Sequence, residues 1–283
     1  MRRLSLIGLS LFSLCLAIQP ALAWSEEGHR AVAAIAYELL SPAQRAQADG
    51  LTHAGVGRDF IHSSTYPDDV IRQQDAQRRF SHWHYTDWPL RAAEPDMAAC
   101  AGTCLLAALP AQIRVLRSAA TPAERGLALS WVVHLLGDMH QPLHAADRDG
   151  DRGGNDYKIS YRVIQNACEQ VPDLHKVWDD WLPCQLPGIR DPAKFASNAL
   201  RRHQVASWRD QRYVRLPIDE TNFRDWVVIS HNLAAAVAYA DLPPGPRGKI
   251  RPAYVRRALP VVDEQLITGG VRLAAIVAIV LGE

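Results

Sequence analysis

Thr121-Pro-Ala-Glu-Arg-Gly-Leu-Ala-Leu-Ser-Trp-Val-Val-His134-Leu-Leu-Gly-Asp138-Met-His140 is the stretch that decides the fold. Thr121 and Glu124 are spaced as a capping box, and Pro122 stands at the first helical position, where its missing N–H costs nothing. The helix they open should run to about His140 and stop before Pro142. Leu127, Leu129, Trp131, Val132, Val133, Leu135 and Leu136 make it apolar almost all round, which marks a buried central helix rather than a surface one. His134 and Asp138 interrupt that apolar surface. Four residues apart, they share one face. A buried carboxylate without a partner is costly, so the pair is either a mutually satisfied His–Asp dyad or part of a metal site.

Helical signals dominate outward from there. Ser25 can cap a helix through Ala31–Ala36 to Leu40, with Glu26 and Glu27 in its positive first turn. Ser41-Pro42 opens another. Further helices are expected over 67–79, 104–118, 173–182, 192–208, 221–240 and 252–280. The alternation Tyr157-Lys-Ile-Ser-Tyr-Arg-Val163 predicts one short strand or hairpin. The stretch Asp241–Gly248 reads as a turn-rich loop. No internal repeat is visible. The expected fold class is all-α, one multi-helix domain with at most a short β-hairpin.

Residues 1–23 have the grammar of a secretory signal peptide: Arg2 and Arg3, an apolar run Leu4–Ile18, and the small-x-small site Ala21-Leu22-Ala23. Cutting after Ala23 would make Trp24 the N-terminus and 24–283 a single catalytic domain, secreted or periplasmic. The chain has 31 Lys and Arg against 30 Asp and Glu, and loss of Arg2 and Arg3 shifts the balance to about −1. That excludes the global basic field typical of non-specific duplex binders. Four cysteines remain beyond the leader: Cys100, Cys104, Cys168 and Cys184. An even number in an exported chain points to two disulfides, and sequence proximity favours Cys100–Cys104 and Cys168–Cys184 among three connectivities. The apolar run Leu273–Leu281 is too short to span a bilayer, so no membrane anchor is expected.

The His134–Asp138 dyad has company. His144 follows the Pro142 break, and His175 and Asp179 repeat the four-residue spacing. Upstream lie His29, Asp68 in Tyr66-Pro-Asp-Asp-Val70, and His84 in Trp83-His-Tyr-Thr-Asp87. An unprotonated α-amino group at Trp24 would be a further ligand. Imidazole and carboxylate without thiolate suit zinc at a hydrolytic centre, and nine protein ligands are too many for one ion.

In this arrangement the chain resembles the zinc-dependent single-strand-specific nucleases of fungi, plants and bacteria, in the superfamily of zinc phospholipase C. The resemblance rests on Trp24-x4-His29, Asp68, Trp83-His84-Tyr85-x-Asp87, His134-x3-Asp138-x5-His144, Gly153-Gly154-Asn155 and His175-x3-Asp179, all in family order. Beyond residue 179 it is carried only by helical character and Gly270–Ala274. It implies three zinc ions. One would take Asp68, His84, His134 and an oxygen of Asp138. A second would take His144, His175 and Asp179. The third would take the Trp24 amino nitrogen and carbonyl, His29 and the other oxygen of Asp138. It further implies a hydroxide shared by the first two ions attacking phosphorus, with Asp68 orienting or deprotonating it as the catalytic carboxylate. The products would carry 5′-phosphates. The substrates would be single-stranded RNA and DNA and 3′-nucleotides, acted on by a monomer. Tyr85 would stack on a base and Asp87 would bind a base edge. The family often carries a basic residue three positions after Asp68. Here that position is Ile71, and Arg72 beside it becomes the expected phosphate contact. Asp180 stands where relatives often have an amide or hydroxyl residue.

Three other features weigh against this scheme less than they first suggest. His82 would share a face with His84 in an extended segment, but Tyr85 and Asp87 fix the family register on His84. His140 lies about 240° round the helix from His134, off the ligand face. Asp147-x-Asp149-x-Asp151 imitates a calcium loop but has Arg152 and Lys158 where glycine and glutamate are required. Of the competing functions, a zinc phospholipase C is disfavoured by Asp179, where that relative has Glu, and by the cysteine pairs. A non-catalytic periplasmic zinc-binding protein leaves the aromatic residues near the ligands unexplained.

Overall fold

Thr121 and Glu124 form the reciprocal cap: the Thr121 hydroxyl accepts from the Glu124 N–H, and the Glu124 carboxylate accepts from the Thr121 N–H at 2.8 Å. They start the central helix of a mostly helical computed structural model, which describes residues 24–95, 97–100, 102–161 and 168–282. The expected leader 1–23, with its cleavage site, lies outside the described residues, as do Arg162 and Val163 of the expected strand. The longer helices are α1 (Glu26–Leu39), α2 (Pro42–Val56), α3 (Leu105–Arg117), α4 (Pro122–Met139), α5 (Pro192–Arg202), α6 (Glu220–Leu233) and α7 (Pro252–Leu281). Shorter turns fill the intervals.

Helix α4 is the central one. Every residue from Ala128 to Met139 is buried, whereas Leu127, grouped with the apolar set in the sequence, is 38% exposed. Helices α2 and α3 pack along α4, and α1 packs on α5 and α7. The α2–α4 crossing is set by two glycines. A Cβ on Gly126 would meet the Leu51 carbonyl oxygen at 1.8 Å, and one on Gly55 would meet the Leu127 nitrogen at 2.3 Å. Helix α7 is long and apolar enough to cross a membrane by length and composition, but 78% of its most apolar window is buried inside the protein. Its Arg272 enters the core, donating to the Tyr213 carbonyl at 3.0 Å and to His140 Nε2 at 2.8 Å, and lying over the Trp226 ring. His140 therefore points to α7, off the His134 face.

Four details differ from the sequence reading. The helix expected over 192–208 ends at Arg202. Ser25 sits at the N-cap of α1, but its side chain makes no cap hydrogen bond. The expected helix over 67–79 is two pieces, Tyr66–Ile71 and Gln74–Phe80. Strand β1 (Lys158–Tyr161) forms no hairpin. It pairs in parallel with β2 (Arg247–Ile250), 89 positions away at Lys158↔Arg247, inside and beyond the segment read as a loop. A parallel partner needs a long crossover, and a local alternation pattern cannot reveal a partner that distant. The cysteines pair Cys100–Cys104 and Cys168–Cys184.

Candidate metal centre

The buried face of α4 brings His134 and Asp138 against residues from five other segments. His84 ends a short 3-10 turn, Ser81–His84, held on α4 by aromatic packing: the Trp83 and Trp131 rings meet edge to face at 4.9 Å. Asp68 comes from the Tyr66–Ile71 turn. His84 Nδ1 lies 3.0 Å from Asp138 Oδ2 and 3.9 Å from Asp68 Oδ1. His134 Nε2 lies 3.3 Å from Asp138 Oδ2, 3.5 Å from Asp68 Oδ1 and 2.9 Å from His84 Nδ1. The two imidazoles thus stand between the two carboxylates, each within 4 Å of both. Zinc bonds of about 2.0–2.1 Å in tetrahedral geometry span ligand–ligand edges of about 3.4 Å.

The other oxygen of Asp138 faces a second group. His29 Nε2 from α1 is 3.4 Å from Asp138 Oδ1, and its ring stacks on His134 with centroids 3.9 Å apart. Trp24 is fully buried beside it, fixed by a bond from the Ser25 N–H to the Asp179 carbonyl at 2.9 Å. Gly137 leaves the room: a Cβ there would lie 2.6 Å from His29 Nδ1. A third group joins His144, from the turn after Pro142, to His175 and Asp179. His175 Nε2 is 3.4 Å from Asp179 Oδ2, and the His144 and His175 rings are 5.0 Å apart. The helix expected over 173–182 is present from Leu174 to Cys184 but widens to a π-turn at Val177–Trp181, a distortion common at functional sites. It still brings His175 and Asp179 together.

Three backbone carbonyls orient the imidazoles. His134 Nδ1 donates to Ser64 O at 2.7 Å, His144 Nδ1 to His84 O at 2.6 Å, and His175 Nδ1 to Gly153 O at 2.7 Å. Each leaves Nε2 as a lone pair facing the cluster, the usual outer-shell device of metal sites. Gln141 does the same for Asp179, donating from Nε2 to Oδ1 at 2.8 Å while its own Oε1 accepts the Leu143 N–H. These outer residues were not visible in the sequence. Main-chain carbonyls carry no residue signature, and Gln141 had only its place between His140 and Pro142 to mark it.

The electrostatics ask for cations. Burial, aided by the neighbouring imidazoles, holds His29 well below the usual histidine range, and burial, against the opposing pull of Asp138, brings His134 down to about 4. His84 and His144 are lowered in the same direction for the same first reason. Burial raises Asp68 to about 6, and pushes Asp138 and Asp179 well above the carboxylate range. Neutral imidazoles are the metal-binding form, whereas buried carboxylates this destabilised lack a compensating charge. Buried side-chain atoms without a hydrogen-bond partner gather here: both His29 nitrogens, Asp68 Oδ1, both Asp138 oxygens, His144 Nε2 and Asp179 Oδ2. Such orphans are rare in folded proteins. The groups His29–His134–Asp138, Asp68–His84–His134 and His144–His175–Asp179 each gather within a metal's reach. The residues present fit metal ions.

A cleft of about 660 Å³ opens beside them, lined by Trp24, Asp68, Arg58, Arg72, Lys176 and Asp180 among others. Ile71 is fully buried in the core and is not among the residues lining the cleft. Arg72 does reach the cleft, where its Nη1 pairs with Asp69, as does Arg58 Nη2 at 2.8 Å. Lys176 lies 3.4 Å from Asp180. Arg58 and Lys176 had no sequence signal. On the other side, Tyr85 and Asp87 line a small recess with Arg152, Gly153, Asn155 and His175. His82 turns away to Tyr85, with Nδ1 2.9 Å from the phenolic oxygen. The acidic loop after Asp147 spends its carboxylates on its own turns: Asp151 Oδ1 accepts from the Arg148 and Gly154 N–H groups and from the Tyr239 hydroxyl. Gly153 must be glycine, because its φ is +63° and a Cβ would lie 2.5 Å from Leu143 O.

The sequence profile of the S1/P1 nuclease family matches residues 24–282. Among curated proteins, the chain is 28% identical to Endonuclease 4 of Arabidopsis thaliana over 91% of this chain and 89% of the relative. It is 24% identical to Nuclease S1 of Aspergillus oryzae over 95% and 96%. It is also 24% identical to Nuclease P1 of Penicillium citrinum over 89% and 95%.

Proposed function

The chain belongs to the S1/P1 nuclease family, and we propose that it is an exported, single-domain zinc endonuclease that hydrolyses single-stranded RNA and DNA to 5′-phosphate products and removes the phosphate of 3′-nucleotides. The observation that carries this reading is Asp138. Its two oxygens face two different histidine groups, 3.0 Å from His84 and 3.4 Å from His29, in a protein interior that offers neither oxygen a hydrogen bond. One carboxylate shared in this way suits adjacent cations.

Three ions are proposed. Asp68, His84, His134 and Asp138 would hold one; His144, His175 and Asp179 a second; and His29, Asp138 and the Trp24 amino and carbonyl groups a third. Bound there, zinc would lower the pKa of water toward neutrality and offset charge on the phosphodiester oxygens. The protein's own contribution is positional. Asp68 reaches both the first group and the cleft, so its carboxylate would orient the attacking water and take its proton. Arg72 and its neighbour Arg58 would hold a phosphate at the cleft wall. Tyr85 would stack on a base, and Asp87 would accept from a base edge, in the recess beside His175. The chain would act as a monomer without a membrane anchor.

Incubating the zinc-loaded protein lacking residues 1–23 with single-stranded RNA and, separately, with phosphatidylcholine vesicles tests the choice of substrate. RNA cleavage to 5′-phosphate ends is expected. Lipid hydrolysis without RNA hydrolysis would overturn the proposal.

A further inference from the structure

A second groove, of about 920 Å³, lies on the two-stranded sheet and the start of α7. Lys158, Arg247, Lys249, Arg251 and Arg257 line it, against one acidic residue, Asp241, which is paired with Arg257 at 2.8 Å. The chain as a whole is almost neutral, so this concentration is local. From Pro243 to Val262 there is no acidic residue at all. Arg247, Lys249 and Arg251 are exposed, and among the described residues none has a carboxylate within salt-bridge distance.

The strand geometry organises these charges. Arg247 and Lys249 alternate along β2 and so point to one face, with Arg251 continuing the row where α7 begins; alternate strand residues stand about 6.6 Å apart. The parallel register puts Lys158 directly beside Arg247, and Ser160 beside Lys249. Like charges facing each other across strands are destabilising. Lys158 is only partly compensated, by Asp173 at 3.8 Å. A protein gains nothing for its own stability from this arrangement, whereas an extended polyanion lying along the strands would relieve it. The first-turn N–H groups of α7 add positive potential at the same end.

The groove is also connected to the metal centre. Asn155 lines the recess with Tyr85, Asp87 and His175, and its carbonyl accepts a hydrogen bond from Lys158 Nζ at 3.0 Å. A strand leaving the recess past Asn155 meets Lys158 next.

We propose that this basic groove binds the sugar–phosphate backbone of a single-stranded nucleic acid, several nucleotides away from the bond being cut. The inference rests on the nuclease reading above. It makes the enzyme's grip on long strands stronger and more salt-dependent than its grip on short ones, without touching the reacting atoms.

The test compares the zinc-loaded protein with R247A/K249A/R251A. Binding of a fluorescent phosphorothioate oligothymidylate of about 20 nucleotides is followed by anisotropy across a salt series, and hydrolysis of a dinucleotide is measured alongside. Each lost phosphate contact removes about 0.7 from the slope of log K against log salt, so the slope should fall by about 2. The oligomer should bind on the order of 100-fold more weakly near 0.1 M salt. Dinucleotide hydrolysis should be unchanged. The charge-keeping R247K/R251K should bind like wild type, which separates loss of charge from loss of fold. Unchanged oligomer affinity and slope, or an equal loss on the dinucleotide, would overturn the proposal. So would loss of binding to phosphatidylglycerol vesicles with oligomer binding intact, since that would assign the groove to a membrane. A wild-type protein that binds the oligomer through this groove but cleaves no dinucleotide would instead count against the nuclease reading alone.

Discussion

His29 and Asp138 face each other at 3.4 Å, both fully buried, with no hydrogen bond to either His29 nitrogen. The same Asp138 faces His84 and His134 through its other oxygen. If that carboxylate joins two metal groups, the two residues should differ on substitution. Asp138→Asn should lower metal content by more than one ion per chain and reduce nuclease activity at least 100-fold, beyond the range typical of outer-shell changes. His29→Ala should remove about one ion. Elemental analysis of the purified variants checks this; equal metal loss in both would contradict the shared role.

Gly137 gives a subtler probe of the same place. A Cβ there would press on His29 Nδ1 at 2.6 Å, a side-chain contact rather than a backbone one. Gly137→Ala should therefore fold but bind its third ion more weakly. Gly126→Ala should behave oppositely. Its Cβ would strike the Leu51 carbonyl, and overpacking of this kind costs about 1–3 kcal/mol or more. The expected result is a lower Tm with full metal occupancy in whatever protein folds. Thermal melts and metal analysis of the pair distinguish the two.

Of the sequence-level expectations, the ones on α4 transferred best, because cap, proline and apolar run all act within one helix. Its burial was legible from the apolar run, whereas His134 and Asp138 alone left a satisfied pair and a metal site both open until His29, Asp68, His84, His144, His175 and Asp179 were set beside them. The pairing of β1 with β2 was not legible, since parallel partners far apart in sequence leave no local signature. Nor were the carbonyls of Ser64, His84 and Gly153 that orient three imidazoles. Leu127 was misassigned to the core because near-continuous apolarity hides the one exposed position. The cleft cations Arg58 and Lys176 look, in sequence, like any surface charge.

Acid should destabilise the zinc-loaded protein. Burial, then the Arg272 guanidinium, lowers His140 to about 3. Its folded-state pKa lies below the unfolded value near 6.5, so the unfolded chain binds the extra proton as pH falls from about 6.5 toward 3, and stability drops across that window. His134, brought to about 4 by burial, acts in the same direction. Asp68, raised to about 6 by burial, and Asp138 and Asp179, raised well above the carboxylate range, oppose them only when no cation holds them ionised. Urea unfolding at pH 7.5, 6.5 and 5.5 should show stability falling by up to about 1.4 kcal/mol per pH unit for each such histidine. Equal stability at all three would contradict it.

The Cys168–Cys184 bridge closes a sequence separation of 16. Loop-closure entropy assigns a loop of this size about 3 kcal/mol. C168S/C184S should melt roughly 6–12 °C lower than wild type, at about 2–4 °C per kcal/mol for a chain of this size. An unchanged melting temperature would show that the surrounding packing already restrains that segment.

Tyr85 should matter for affinity rather than chemistry. Base stacking contributes about 1–3 kcal/mol, so Tyr85→Ala should raise KM for a single-stranded dinucleotide roughly 5–150-fold with kcat little changed. A loss confined to kcat would place Tyr85 outside the base pocket.

The central claim is that three buried His/Asp groups make one zinc-dependent hydrolytic centre. The direct measurement is metal content per chain together with hydrolysis of single-stranded RNA, before chelation, after it, and after zinc is restored. The account predicts three zinc ions, loss of activity with the metal, and recovery of both together. Full activity in protein stripped of metal, or three bound zinc ions with no turnover of RNA, DNA or 3′-nucleotides, would contradict it.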